Sequence, residues 1–95
     1  MPRPDVRVRI PTPLRSYTDQ NGLVDADGRT VAEVLEDLDR RYPGIRFRVV
    51  DEQGRLRKHM KVFVAEESVR DLTTVVEGID EIVIMQALSG GASGL

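Results

Sequence analysis

Cysteine and tryptophan are both missing from this chain, and histidine occurs once, as His59. Without a thiol there is no disulfide, no thiolate nucleophile and no thiolate metal site. A single imidazole cannot build a histidine-based triad or a multi-histidine metal centre. Aromatic rings are scarce, two Phe and two Tyr in 95 residues, so the bases of a nucleic acid would find few faces to stack on, and nucleic acid is not an expected partner. No apolar run approaches the ~20 residues that a bilayer span requires. The opening Met1-Pro-Arg-Pro-Asp5 carries no apolar segment of a secretory signal, so a cytoplasmic protein without a membrane span is expected.

Charge is what the chain has in quantity. The 16 carboxylates are interleaved with arginines as on a solvated surface, which speaks against a catalytic carboxylate pair and against an enzyme. Hydrophobic residues at 40% and charged residues at 32% suit one small globular domain with a single core. The signs are unevenly spread. Arg46, Arg48, Arg55, Arg57, Lys58, His59 and Lys61 gather in the middle, broken by Asp51 and Glu52. Glu66, Glu67, Asp71, Glu77, Asp80 and Glu81 follow, with only Arg70 against them. Solvated loop charge accounts for the basic middle, and the acidic C-terminal third predicts a partner with a basic face near the C-terminus.

Periodicity places the elements. Val6 to Ile10 alternates apolar and polar, a half-buried strand with Arg7 and Arg9 outward. Pro11 and Pro13 end it, and Leu14 and Tyr17 fold back over the core edge. Leu23-Val24 forms a second strand, hairpinned to the first. Thr30 and Glu33 have the spacing of a capping box, and Val31, Val34, Leu35, Leu38 and Tyr42 then mark one face of a helix over 30–42. The opposite face takes Glu33, Glu36, Asp37, Asp39 and Arg40, and Pro43-Gly44 stops the helix. Ile45, Phe47 and Val50 line one side of either a short helical turn or an irregular loop. Met60 to Ala65 returns to strand, Glu66-Glu67 reverses it into a short strand at Ser68-Val69-Arg70, and a second helix at 72–77 stays open.

The last fifteen residues change character halfway. In Glu81-Ile-Val-Ile-Met85, Ile82 and Ile84 face one way, Val83 and Met85 the other. A strand apolar on both faces belongs in the centre of a sheet or under cover on its second side. Phe63, Val83 and Met85 are thus candidates for an apolar partner patch bordered by charge. From Ser89 onward only Ser, Gly, Ala and a final Leu remain, with Gly90-Gly91 among them. Such a segment has almost nothing to bury, so residues 1–88 are expected to fold and residues 89–95 to form a flexible tail. The order strand, strand, helix, strand, short strand, strand suggests an α+β fold of the ubiquitin-like β-grasp kind. Four to five strands would form a mixed sheet on one main helix, although the pattern alone leaves ferredoxin-like and other small α+β folds open.

Several stretches resemble the MoaD/ThiS sulfur-carrier family, most of all the actinobacterial carriers that serve cysteine biosynthesis. They are Ile10-Pro-Thr-Pro-Leu-Arg15, Thr30-Val-Ala-Glu-Val-Leu-Glu-Asp-Leu38, Phe63-Val-Ala-Glu-Glu-Ser-Val-Arg70, and Glu81-Ile-Val-Ile-Met85 followed by Gly90-Gly91. The resemblance implies that this chain is no enzyme and binds no cofactor. An E1-like adenylyltransferase and sulfurtransferase, using ATP and magnesium, would adenylate the Gly91 carboxylate and exchange oxygen for sulfur. The thiocarboxylate would then serve a sulfur-accepting synthase that makes cysteine or another sulfur-containing metabolite. A chain without cysteine cannot carry sulfur as a persulfide, which leaves the acyl end. Gly90, lacking a Cβ, would let the tail enter a narrow cleft.

Typical carriers end at Gly-Gly, whereas this chain continues through Ala92-Ser93-Gly94-Leu95. The Gly91 carbonyl is then an amide, so a JAMM-type or similar peptidase is expected to remove residues 92–95. Two other readings stay open: a ubiquitin-like modifier joined to lysines through Gly91, and a non-covalent adaptor that uses the Phe63, Val83 and Met85 face.

Overall fold

The computed structural model describes residues 6–87. Five strands, β1 (Val6–Arg9), β2 (Leu23–Ala26), β3 (Met60–Val64), β4 (Glu67–Val69) and β5 (Glu81–Gln86), form one sheet in the order β2-β1-β5-β3-β4. β1 and β5 run parallel, and the other pairs are antiparallel. Two helices, α1 (Val31–Arg41) and α2 (Ile45–Val49), follow β2, and a 3-10 helix over Thr12–Thr18 joins β1 to β2. This is the mixed sheet with one main helix expected from the sequence, and the expected central strand is β5.

The core lies between one sheet face and α1. Val8, Met60, Val62, Ile82 and Ile84 point inward from the strands and meet Val31, Val34, Leu35 and Leu38. α1 is capped as the sequence predicts, with the Glu33 amide donating to Thr30 Oγ1 at 3.2 Å. The reciprocal contact lands one residue early, since Glu33 Oε1 accepts from the Arg29 amide at 2.8 Å. The next two amides are satisfied from elsewhere: Val31 donates to the Thr74 carbonyl and Ala32 to that of Leu72. The segment between β4 and β5 is therefore a cap for α1, and the second helix left open at 72–77 is not formed. Gly28 passes so close to α1 that an added Cβ would lie 2.6 Å from the Val34 nitrogen, which makes glycine a steric requirement there.

Three local readings are corrected. Asp37, assigned to solvent by periodicity, is buried; Arg40 and Arg41 donate to its carboxylate at 2.6 and 2.8 Å and the Asp27 amide at 2.9 Å. Phe47 faces outward, 52% exposed, because α2 is a true helical turn that buries Ile45 and Val49 instead. The reversal after β3 uses Ala65 and Glu66, not Glu66 and Glu67, and both take positive φ, 52° and 72°. α1 itself runs from Val31 to Arg41, with Thr30 and Tyr42 as its caps.

Candidate functional site

β5 is held on both sides, by β1 along Glu81–Val83 and by β3 along Ile82–Gln86. Its last ladder position puts Gln86 opposite Met60, and one residue on, the Ala87 amide donates to the His59 carbonyl at 2.7 Å. The described chain thus ends at a fixed point beside the first residue of β3. Gly90, Gly91 and the 92–95 extension, on which the sequence reading rests its chemistry, lie outside the described residues, as does the boundary at 88–89.

The sheet face turned away from α1 carries the other candidate residues. The register puts Arg9 and Phe63 on either side of Val83, and Lys61 opposite Met85. Phe63, Val83 and Met85 therefore come together, as expected, around a shallow hollow of about 420 Å3 that also touches Ala65, Glu66 and Glu81. Phe63 and Val83 are half-buried and Met85 is 48% exposed. The rim is charged: Arg9 Nε donates to Glu81 Oε2 at 2.7 Å, an ion pair that holds the Glu81 carboxyl below its ordinary range. An apolar centre with a polar rim is the anatomy of a protein contact surface.

A second hollow, of about 440 Å3, adjoins the end of β5 and is lined by Arg55, Arg57, Lys58, His59 and Arg70 with Asp51 and Leu56. Arg70 is a strap: its guanidinium donates to the carbonyls of Leu56, Arg57 and Met60 at 2.9, 3.1 and 3.2 Å. Arg57 donates to the Phe47 carbonyl and lies 4.7 Å over its ring. Hydrogen bonds from the Arg55 and Gln53 amides keep the Asp51 carboxyl below its usual range. The expected basic partner face near the C-terminus does not follow from this arrangement. β3 and β5 are antiparallel, so Glu66, Glu67 and Glu81 sit at the far end of the strands and the basic residues at the near end. Linear sequence counted the acidic third as neighbours of the tail, and only the strand register shows otherwise. Among the described residues no group of three His, Cys, Asp or Glu is placed to hold a metal, and no helix is long and apolar enough to cross a membrane.

Comparison with known proteins bears on this geometry. The chain is 36% identical to the sulfur carrier protein CysO of Mycobacterium tuberculosis over 92% of its own length and 99% of that protein. The crystal structure of that CysO superposes with a TM-score of 0.81 over 87% of this chain and 99% of its own. A chain of the Amycolatopsis orientalis BexX/CysO complex superposes at 0.83, 38% identical, covering 90% of this chain and 99% of that one. Haloferax volcanii SAMP1 shares the fold, at a TM-score of 0.76 and 23% identity over 92% and 99%. The ThiS family model matches residues 8–91, from the first strand through the paired glycines, and the chain belongs to the ThiS family.

Proposed function

We propose that this chain is a sulfur carrier protein, matured by removal of residues 92–95 and charged at Gly91. The observation that carries the reading is the near end-to-end similarity to proteins named sulfur carriers, joined to a family match that runs through Gly90-Gly91. In the proposed cycle a peptidase first frees the Gly91 carboxylate. Its oxygen attacks the α-phosphorus of ATP on an activating enzyme that holds magnesium; pyrophosphate leaves, and an acyl adenylate results. A sulfur nucleophile then attacks the carbonyl and AMP departs, leaving a thiocarboxylate for a synthase that builds cysteine or a related metabolite. The chain supplies no catalytic side chain and no resident cofactor in this scheme. It is the substrate, and its compact body presents one end.

The Phe63, Val83 and Met85 face supports the same reading as the place where a partner would seat. Its mixed apolar and charged character suits a surface that must be released after each transfer.

The test is mass spectrometry of the chain ending at Gly91, incubated with an E1-like enzyme of the same organism, ATP, magnesium and sulfide. A gain equal to one oxygen-for-sulfur exchange is expected, lost in Gly91→Ala and in the untrimmed chain. A ladder of larger lysine-linked conjugates would instead assign the chain to protein modification. Activation of the untrimmed chain would overturn the maturation step.

A further inference from the structure

The charges of the domain are sorted along its strands, and the fold does not require that sorting. Met60 opposes Gln86 at one end of the β3–β5 pair and Val64 opposes Ile82 at the other, ends separated by about 13 Å at ~3.3 Å per residue. The far end carries Glu66, Glu67, Asp80 and Glu81, with Arg7 opposite Glu81 and Arg9 paired to it, four anions against two cations. The near end, where the Ala87 amide meets the His59 carbonyl, carries Arg55, Arg57, Lys58, Lys61 and Arg70.

Several cations elsewhere are spent on neighbours, Arg9 on Glu81, Arg29 on Glu77, and Arg40 and Arg41 on Asp37, whereas Arg7, Arg15, Arg46 and Arg48 are in no ion pair among the described residues. Among the described residues, neither Arg55, Arg57, Lys58 nor Lys61 is in an ion pair, and Lys58 and Arg55 are exposed. The carboxylates that share this end neutralise it only in part, Asp51 lying close enough to Arg55 and Arg57 to interact with their charge. Asp51 spends Oδ1 on the amides of Gln53 and Arg55, and Asp71 spends its Oδ1 on Thr73. With Glu52 they make three anions against five cations. A chain of net charge -2 thus turns a positive end toward the departure point of its tail.

We propose that this end is a docking surface for acidic side chains around the mouth of the partner cleft that receives the tail. The proposal rests on the carrier reading above and adds the chemistry of the partner's rim. Ala87 to Gly91 spans at most roughly 13–14 Å at 3.3–3.6 Å per residue. A partner holding Gly91 in its active site therefore brings the rim of that cleft onto Arg55 and Lys58. Complementary charge there lies within the Debye length of about 8 Å at physiological salt; it raises the encounter rate and presents the domain tail-first. RNA is the competing occupant of a basic surface. The exposed ring nearby, Phe47, already has the Arg57 guanidinium over its face and is no open platform for a base.

The test measures ATP–pyrophosphate exchange by the E1-like enzyme of the same organism, at rising sodium chloride, with the chain ending at Gly91. Wild type, the double variant Arg55→Glu/Lys58→Glu and the far-end variant Glu67→Lys are compared. For the double variant, KM for the carrier is expected to rise about tenfold at low salt and to lose its salt dependence, with kcat within about twofold. Glu67→Lys should stay within about twofold of wild type in KM. A double variant with wild-type KM and wild-type salt dependence overturns the docking surface while leaving the carrier reading intact. If wild type itself supports no exchange, the carrier reading fails, and the docking surface with it. An RNA oligonucleotide bound by wild type and not by the double variant, with KM unchanged, reassigns the surface to nucleic acid.

Discussion

Asp37 is where the helical pattern of the sequence and the structure part company at the scale of one side chain. Its carboxylate, buried on the flank of α1, accepts from the Asp27 amide and from Arg40 and Arg41. Burial pushes its pKa up, but the Asp27 amide and the two guanidinium groups together outweigh it and hold the group below the ordinary carboxylate range. A depressed folded pKa stabilises the domain above the unfolded value of about 3.9, and that contribution fades as pH falls through the folded value. Asp37→Asn should therefore cost about 1–3 kcal/mol at neutral pH, as expected for lost hydrogen bonds to a charged group. It should also shrink the loss on acidification. Urea unfolding of both proteins at pH 7 and pH 3 checks this: the gap between them should narrow at the lower pH. Asp51, Asp71 and Glu81 are also held low, so the slope of wild type is a sum and only the difference isolates Asp37. A gap that is the same at both pH values would mean that Asp37 contributes through packing alone.

At the scale of elements, the turn between β3 and β4 is built from residues that do not suit it. Two-residue hairpins of type I′ need positive φ at both central positions, a conformation that Asn and Gly adopt readily. Here Ala65 and Glu66 hold it, at 52° and 72°, at about 1–2 kcal/mol per residue for the left-handed conformation. Ala65→Asn with Glu66→Gly is expected to stabilise the domain by about 1 kcal/mol, or 4–8 °C in Tm, read by thermal denaturation. An unchanged or lowered Tm would show that the turn carries no strain. Both residues border the Phe63, Val83 and Met85 hollow, so the strain lies beside the face proposed for partners.

This turn also marks how far the sequence could be read. β1, α1 and β3 were legible because their apolar residues repeat with a single period, β5 as an unbroken apolar run and β2 as a short apolar pair after a turn, and the capping box at Thr30 announced α1. The β3–β4 turn was misplaced by one residue because neither Ala65 nor Glu66 carries turn chemistry. Phe47 was misread because five residues of α2 give too little periodicity to fix a face. Asp37 was misread because apolar periodicity takes no account of its helical neighbours Arg40 and Arg41, which together with the Asp27 amide make its burial tolerable. Of the candidate site, the clustering of Phe63, Val83 and Met85 followed from strand alternation. The basic end did not, because antiparallel register decides which charges become neighbours and composition along the chain does not.

For the whole molecule, the sheet order explains why one end of the chain can be spared. β5 is the central strand, paired to β1 and β3, and Ile82 and Ile84 place its inner face at the heart of the core. Among the described residues its ladder runs to Gln86, followed by the Ala87 to His59 hydrogen bond. The described core is built from residues before 88, so removing the residues beyond it is expected to change function without changing the fold. Truncation after residue 88 is expected to leave Tm within about 2 °C of the full chain, a small fraction of the shift that losing a core contact brings. Leu38→Ala, which empties a fully buried site, should cost about 2–5 kcal/mol in the same assay. The pair of measurements separates the two roles of the chain. A truncated protein that unfolds as early as Leu38→Ala would mean that residues 89–95 belong to the folded body, and a glycine carboxylate embedded there could not be offered to a partner.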